Sequence, residues 1–173
     1  MLFNKIEAII FDFDGVLTNN LVYVDQDGGE SVCCSRADGL AFDVLRKLKK
    51  PSYILSTEKN LVVSVRAKKL KIPVIQGVSD KAKGVRNLAK EKNINLKNVL
   101  YVGNDLNDYH AMQICGYTAC PSDSHKSIQS ISDIVIEMAG GEGVVRKLLE
   151  DVFHLDFMKI LYPKESLILR LKK

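Results

Sequence analysis

Short apolar runs alternate with longer stretches of helical spacing along most of the chain. The runs Ala8–Phe11, Tyr53–Leu55, Val74–Ile75, Val99–Val102, Tyr117–Ala119 and Ile134–Ile136 each predict a buried strand. Helical patterns lie between and after them, over Gly39–Lys49, Asn60–Leu70, Lys81–Lys92, Asp108–Ile114, Lys126–Ser130 and Gly143–Leu149. Leu61, Val65, Lys68 and Lys69 show the helical repeat, with an apolar side and a charged side. Strand–helix alternation of this kind predicts an α/β fold, a parallel sheet with helices on both faces. One segment breaks the rhythm. Leu21–Val24, a turn Asp25-Gln26-Asp27-Gly28-Gly29, and Glu30–Cys34 together read as a β-hairpin.

Composition narrows this picture without redirecting it. The chain has 173 residues, 46% hydrophobic and 27% charged, which fits one globular domain over 1–173 with a single core. Its hairpin spans about 21–35. A tail over 156–173 mixes apolar residues with lysines, so a short helix, a docking tail and disorder all stay open. No stretch approaches the roughly 18 apolar residues of a membrane span. Met1–Lys5 lacks the apolar segment of a signal peptide, so the expected location is cytoplasmic, with no membrane partner. Cys33, Cys34, Cys115 and Cys120 show no zinc-ligand spacing and read as reduced thiols. The formal charge of +4 comes from lysines and arginines spread along helices, without interleaved aromatics. That argues against a nucleic-acid partner and suits a small anionic substrate.

The candidate chemistry sits at the predicted strand ends, where parallel α/β sheets bind their ligands. The first strand runs into Asp12-Phe13-Asp14-Gly15. Two carboxylates set so close beside a buried strand repel and lose solvation, so a hard dication is the expected partner, Mg²⁺ above others. An Asp-Gly turn with no further role is the alternative. Ser56 ends the strand over Tyr53–Leu55, and Asn104 follows Val99–Val102. Lys81 opens a helix against the helix dipole, which points to a purpose other than helix propensity. Thr57 and Lys83 are their neighbouring competitors.

The segment Asp12-Phe13-Asp14-Gly15-Val16-Leu17-Thr18 resembles the first motif of the haloacid dehalogenase phosphohydrolases. Ser56, Lys81 and Gly103-Asn104-Asp105-Leu106-Asn107-Asp108 follow in that family's order, so the likeness covers about residues 7–149. It implies a Rossmann-like sheet, and the spacings leave no room for a cap domain. It also implies Asp12 as the nucleophile that forms an aspartyl-phosphate, Asp14 as acid and base, and Ser56 and Lys81 as phosphoryl-binding groups. The backbone carbonyl of Asp14 would join Asp12 at the metal. Many relatives carry an aspartate where this chain has Asn104. Asn104 and Asp108 are the expected metal-facing groups, with Asp105 as a rival.

The capless members that this chain resembles act on 2-keto-3-deoxy sugar acid phosphates, either 3-deoxy-D-manno-octulosonate (Kdo) 8-phosphate or nonulosonate 9-phosphates of the sialic-acid type. Arg36-Ala37-Asp38-Gly39 and Gly140-Gly141-Glu142-Gly143-Val144-Val145-Arg146 look like this whole group. Glu58 stands where the Kdo branch has an arginine, and Glu58, Arg66 and Lys69 resemble the nonulosonate branch. Glu58 would accept from sugar hydroxyls, and Arg66 or Lys69 would pair with the substrate carboxylate. An ordinary charged surface helix is the alternative. Arg146 either touches substrate in a neighbouring subunit or merely belongs to a covering helix. The group implies a homotetramer in which the hairpins pack together. Two rival functions remain open: a non-catalytic oligomerisation module related to a cytidylyltransferase C-terminal domain, and a phosphatase of another ester class.

Overall fold

The computed structural model describes residues 2–164. Six parallel strands form one sheet: β1 (Ala8–Phe11), β4 (Ser52–Leu55), β5 (Val74–Ile75), β6 (Val99–Val102), β7 (Tyr117–Pro121) and β8 (Ile134–Ile136). Their order is β5-β4-β1-β6-β7-β8, so β1 pairs with both β4 and β6. Every residue of β1 and of β6 is buried. Helices cover both faces of such a sheet, which is why these strands read as continuous apolar runs.

Alternation of side chains along the strands divides the core into two layers. On one face Ile9, Phe11, Ile54, Leu100 and Val102 pack against α2 (Ala37–Lys47), α3 (Leu61–Leu70) and α7 (Val144–Lys147). The Phe11 and Phe42 rings meet edge to face, with centroids 5.5 Å apart. On the other face Ala8, Ile10, Tyr53, Leu55 and Tyr101 pack against α4 (Lys81–Lys92), α5 (Tyr109–Gln113) and α6 (Lys126–Ile131).

Several elements differ from the sequence expectation. The apolar side of α3 turns the other way. Val63, Ala67 and Leu70 are buried, while Leu61 and Val65 stand in solvent at 71% and 66% exposure. The segment expected as a helix from Asp108 is a 3₁₀ turn over Leu106–Asp108 followed by α5, because Asp105 and Asp108 form a capping box at its start. Helix α7 is short and continues as a π-helical turn over Leu148–Val152. A short helix α1 (Leu2–Lys5) precedes β1 and buries Phe3 against Phe153. Helix α8 (Phe157–Leu161) occupies the start of the tail; residues 165–173 of that tail lie outside the described residues. Among the described residues no helix is long and apolar enough to cross a membrane.

The hairpin is present, with β2 (Thr18–Val24) starting earlier than expected and β3 (Glu30–Cys34) as expected. It forms its own two-stranded antiparallel sheet, paired Val22 to Val32 and Val24 to Glu30. Leu21, Val22, Tyr23 and Val24 are all exposed.

Two glycines show opposite steric demands. A Cβ on Gly116 would collide with the Lys97 carbonyl, where the Gly116 N–H also donates to Leu96 O at 2.8 Å. A Cβ on Gly39, inside α2, would meet nothing closer than the Leu70 side chain at 3.9 Å. Gly116→Ala is expected to destabilise the fold by about 1–3 kcal/mol through overpacking. Gly39→Ala is expected to stabilise it by about 0.5–1 kcal/mol, because a helical glycine loses more entropy than alanine on folding. Urea unfolding of the two variants checks both signs.

Candidate active site

The three central strands β4, β1 and β6 deliver their next residues to one edge of the sheet. Asp12 continues β1, and its N–H donates to Val102 O at 2.9 Å. The chain then turns sharply at Gly15, at φ +78°, and Phe13 O accepts from the N–H groups of Val16, Leu17 and Thr18. Phe13 is fully buried and anchors the turn. Thr18 Oγ1 donates to Asp14 Oδ1 at 3.3 Å and accepts from the Gly15 N–H at 3.2 Å, which holds the half-buried Asp14 in the turn.

Lys81 reaches back from the start of α4 and is 3% exposed. Its Nζ lies 2.8 Å from Asp12 Oδ1 and 2.7 Å from Asp108 Oδ1. Asp108 is fully buried. It also accepts from Tyr101 Oη at 2.7 Å, and its other oxygen accepts from the N–H groups of Asn104 (2.9 Å) and Asp105 (3.3 Å). Glycine at 103 leaves the space that the Asp108 carboxyl fills.

Asp108 thus has both oxygens engaged, and it fixes Lys81 and the Asn104 backbone. Asp105 is exposed, and its carboxylate accepts from the Leu106 N–H at 2.7 Å. Tyr101 is a site residue that the sequence reading missed. Its only signal was a hydroxyl in the middle of an apolar strand.

The electrostatics do not close within the chain. Asp12, Asp14 and Asp108 are three carboxylates around one ammonium. Burial pushes the Asp12 carboxyl up to about 8, Asp108 adds to this, and Lys81 only partly opposes it. Burial also raises Asp14, with the charges of Glu58 and Glu30 adding and the Thr18 hydrogen bond opposing. Lys81 is pulled down by burial, but Asp12 and Asp108 outweigh this and hold it above its ordinary value. Lys81 pairs with Asp12, yet both are raised, because one cation is shared between two buried anions.

Among the described residues no cluster of three or more His, Cys, Asp or Glu side chains could hold a metal. The donor set at this edge is of another kind. One end of the Asn104 side-chain amide lies 2.8 Å from Asp14 O and 3.2 Å from Asp12 Oδ2. With its nitrogen inward, the amide donates to both. With the amide oxygen inward, it lies from each of the other two oxygens at nearly the edge length of a Mg²⁺ octahedron, about 2.9 Å for bonds near 2.05 Å. Asp12, the Asp14 carbonyl and Asn104 thus fit a hard dication in donor type, spacing and missing charge. A Cβ at position 15 would overlap the Asn104 amide, so glycine at the turn also makes room for it.

Ser56 lies just past β4 and is 1% exposed, whereas Thr57 is exposed. Ser56 Oγ accepts from the Glu58 N–H at 3.0 Å. Lys83 is likewise exposed, which leaves Lys81 as the buried lysine of this helix start. Glu58 is half-buried and accepts from the N–H groups of Lys59 (2.6 Å) and Asn60 (2.7 Å). Asn60 Nδ2 in turn donates to Glu30, beside the hairpin turn. The remaining expected contacts are not gathered here. Arg66 donates to Ser35 O at 2.7 Å, Lys69 is exposed on α3, and Arg146 pairs with Glu150 at 2.9 Å above the Phe157 ring.

The chain is also similar to known proteins in sequence and in fold. Residues 41–148 match the model of the haloacid dehalogenase-like hydrolase family. The chain is 31% identical to the 3-deoxy-D-manno-octulosonate 8-phosphate phosphatase KdsC of Escherichia coli K12 over 147 residues, 84% of this chain and 78% of that one. A putative hydrolase of the same family from Streptomyces avermitilis superposes with a TM-score of 0.83 at 38% identity, covering 85% and 84% of the two chains. The Moraxella catarrhalis Kdo 8-phosphate phosphatase, solved with magnesium, phosphate and Kdo, superposes at 0.82 with 26% identity, over 98% and 97%.

The burial contrast between the two aspartates generates a stability test. Asp108→Ala leaves a buried hydroxyl and two N–H groups without their acceptor, while Lys81 keeps Asp12, so it is expected to cost about 3 kcal/mol. Asp105→Ala removes one exposed cap and is expected to cost about 1 kcal/mol. Chemical denaturation of both variants measures the difference.

Proposed function

The chain belongs to the haloacid dehalogenase-like hydrolases, and on that premise we propose that it is a Mg²⁺-dependent phosphatase of 2-keto-3-deoxy sugar acid phosphates. The observation that carries this reading is the buried Asp12 carboxylate held between Lys81 and the Asn104 amide, with Asp14 beside it. An Asp12 oxygen attacks phosphorus as the ester P–O bond breaks, giving an acyl phosphate on Asp12. Asp14, whose raised pKa favours the protonated form, gives its proton to the leaving alkoxide. The Asp14 carboxylate then takes a proton from water, which attacks phosphorus and releases phosphate and free Asp12. Lys81 and Ser56 bind the phosphoryl oxygens. Bound Mg²⁺ would supply positive charge to the nucleophile and the phosphoryl group, held by Asp12, the Asp14 carbonyl and Asn104.

Glu58 at the rim of the site supports a nonulosonate 9-phosphate as substrate. The named relatives support Kdo 8-phosphate. Both are 2-keto-3-deoxy acids with a terminal phosphate. We further propose a homotetramer built on the hairpin. Four successive exposed residues, Leu21 to Val24, together with Leu61 and Val65, offer an apolar surface suited to burial between copies. In such an assembly Arg66, Lys69 and Arg146 would serve a neighbour's substrate rather than their own.

The test is phosphate release, with and without Mg²⁺, from Kdo 8-phosphate, N-acetylneuraminate 9-phosphate and its deaminated analogue. The expected result is Mg²⁺-dependent release from at least one of them and none from Asp12→Asn. The preferred sugar decides the branch. No release from folded protein at high Mg²⁺ would favour the non-catalytic oligomerisation module instead.

A further inference from the structure

The segment Gly140-Gly141-Glu142-Gly143 takes no part in the chemistry above, yet it leans on the turn that carries Asp14. The Gly141 N–H donates to Val16 O at 3.1 Å. A Cβ on Gly140 would overlap the carbonyls of Gly15 and Thr18, and one on Gly141 the backbone of Thr18 and Asn19. With two backbones in such contact, one cannot shift alone. Asp14 is held in that turn by Thr18 Oγ1, which also accepts from the Gly15 and Asn20 N–H groups. Asp12 has separate supports, Val102 O and Lys81. The glycine segment therefore bears on Asp14 far more than on Asp12.

Two carboxylates fix the segment from outside. Asp123 Oδ1 accepts from the Gly140 N–H at 3.0 Å. At the other end Asp38, on α2 and 1% exposed, accepts from the Arg146 N–H at 3.1 Å, just past Gly143 at φ +107°. Its Oδ2 has no hydrogen-bond partner among the described residues. Burial raises its carboxyl to about 6, opposed by the Arg146 and Val145 N–H groups of α7 and by Arg66 of α3. Cys34 of β3 also lies within its field. A buried and incompletely paired carboxylate costs stability, so its presence needs a reason other than packing.

We propose that Asp38 is a positioning residue for Asp14, acting through the start of α7 and the Gly140–Gly143 segment on the Gly15–Asn19 turn. This rests on the phosphatase reading and assigns a control over proton delivery to the leaving group. An alkyl ester such as a sugar phosphate needs that proton. p-Nitrophenyl phosphate does not, because its phenolate leaves unaided. Loss of fold or of the nucleophile would depress both esters alike.

The experiment compares kcat and KM on the sugar acid phosphate and on p-nitrophenyl phosphate for the full chain, Asp38→Ala, Asp38→Asn and Gly143→Ala. Asp38→Ala is expected to lower kcat/KM on the sugar ester, which reports the step that forms the acyl phosphate, about tenfold or more, part of what general acid catalysis supplies, with kcat/KM on the aryl ester changed by less than about threefold. Hydrolysis of the acyl phosphate is common to both esters, so kcat is not the discriminating readout. Asp38→Asn keeps an oxygen at the Oδ1 position and is expected to restore the sugar ester rate. Equal loss of kcat/KM on both esters, or loss on neither, overturns the proposal. If Asp38→Ala does not fold, Gly143→Ala takes its place, because it strains the same connection and leaves Asp38 intact. It must show the same ester-selective loss, and its failure to do so overturns the proposal. Failure of the unmodified chain on both esters would sink the phosphatase reading and this proposal with it.

Discussion

One ammonium shared between two buried carboxylates is the constraint on which this structure turns. Lys81 lies within 2.8 Å of both Asp12 and Asp108, and all three are almost completely buried. Asp14 adds a third carboxylate, so the chain alone leaves two negative charges unbalanced. Uncompensated buried charge is among the costliest features a protein can carry. The surrounding residues read as responses to it. Tyr101 and two N–H groups surround Asp108, Thr18 steadies Asp14, and Gly103 and Gly15 clear space for the Asp108 carboxyl and the Asn104 amide. A neutral amide at 104 leaves the deficit at two charges rather than three. A dication would fill such a deficit, which fits the magnesium bound in the Moraxella catarrhalis relative.

The fold supplies the precision that this charge arrangement needs. β1 is flanked by β4 and β6, and all three strands are anchored in the two core layers. Their ends can therefore place Asp12, Ser56 and Asn104 without relying on mobile loops. The hairpin does the opposite. It carries little of the core and projects apolar side chains outward, yet its turn end reaches toward the site through Glu30 and Asn60. Surface and chemistry are thus connected by one short path. That gives the proposed assembly a direct route to the substrate.

Much of this was legible in the sequence, because buried parallel strands and their end residues leave strong local patterns. All six strands of the sheet fell where the apolar runs predict them, and Asp12, Ser56, Lys81 and Asn104 all proved buried at one edge. The errors have physical causes. Leu61 and Val65 form an apolar side in sequence, but nothing in helical spacing tells a buried apolar side from an exposed one. Asp105 and Asp108 are alike in a linear motif, and only the capping geometry turns one to solvent and the other to Lys81. Arg146 carries two readings in sequence, and its pairing with Glu150 one helical turn on is set by the local helix rather than by any motif. Tyr101 and Asp38 stayed hidden because their partners are remote in sequence or belong to the backbone.

The most direct measurement of the charge deficit is thermal unfolding with and without Mg²⁺ at pH 5.5 and pH 8.5. In the folded chain Asp12 titrates near 8, above its ordinary value, and Asp14 is also raised. The native state then binds more protons than the unfolded state over that interval, so without metal this site loses stability as pH rises. At pH 5.5 Mg²⁺ must displace protons. At pH 8.5 it meets carboxylates that are already ionised. The account predicts a clearly larger rise in Tm from Mg²⁺ at pH 8.5 than at pH 5.5, and loss of that difference in Asp12→Asn. An equal rise at both values, or none at either, would contradict it.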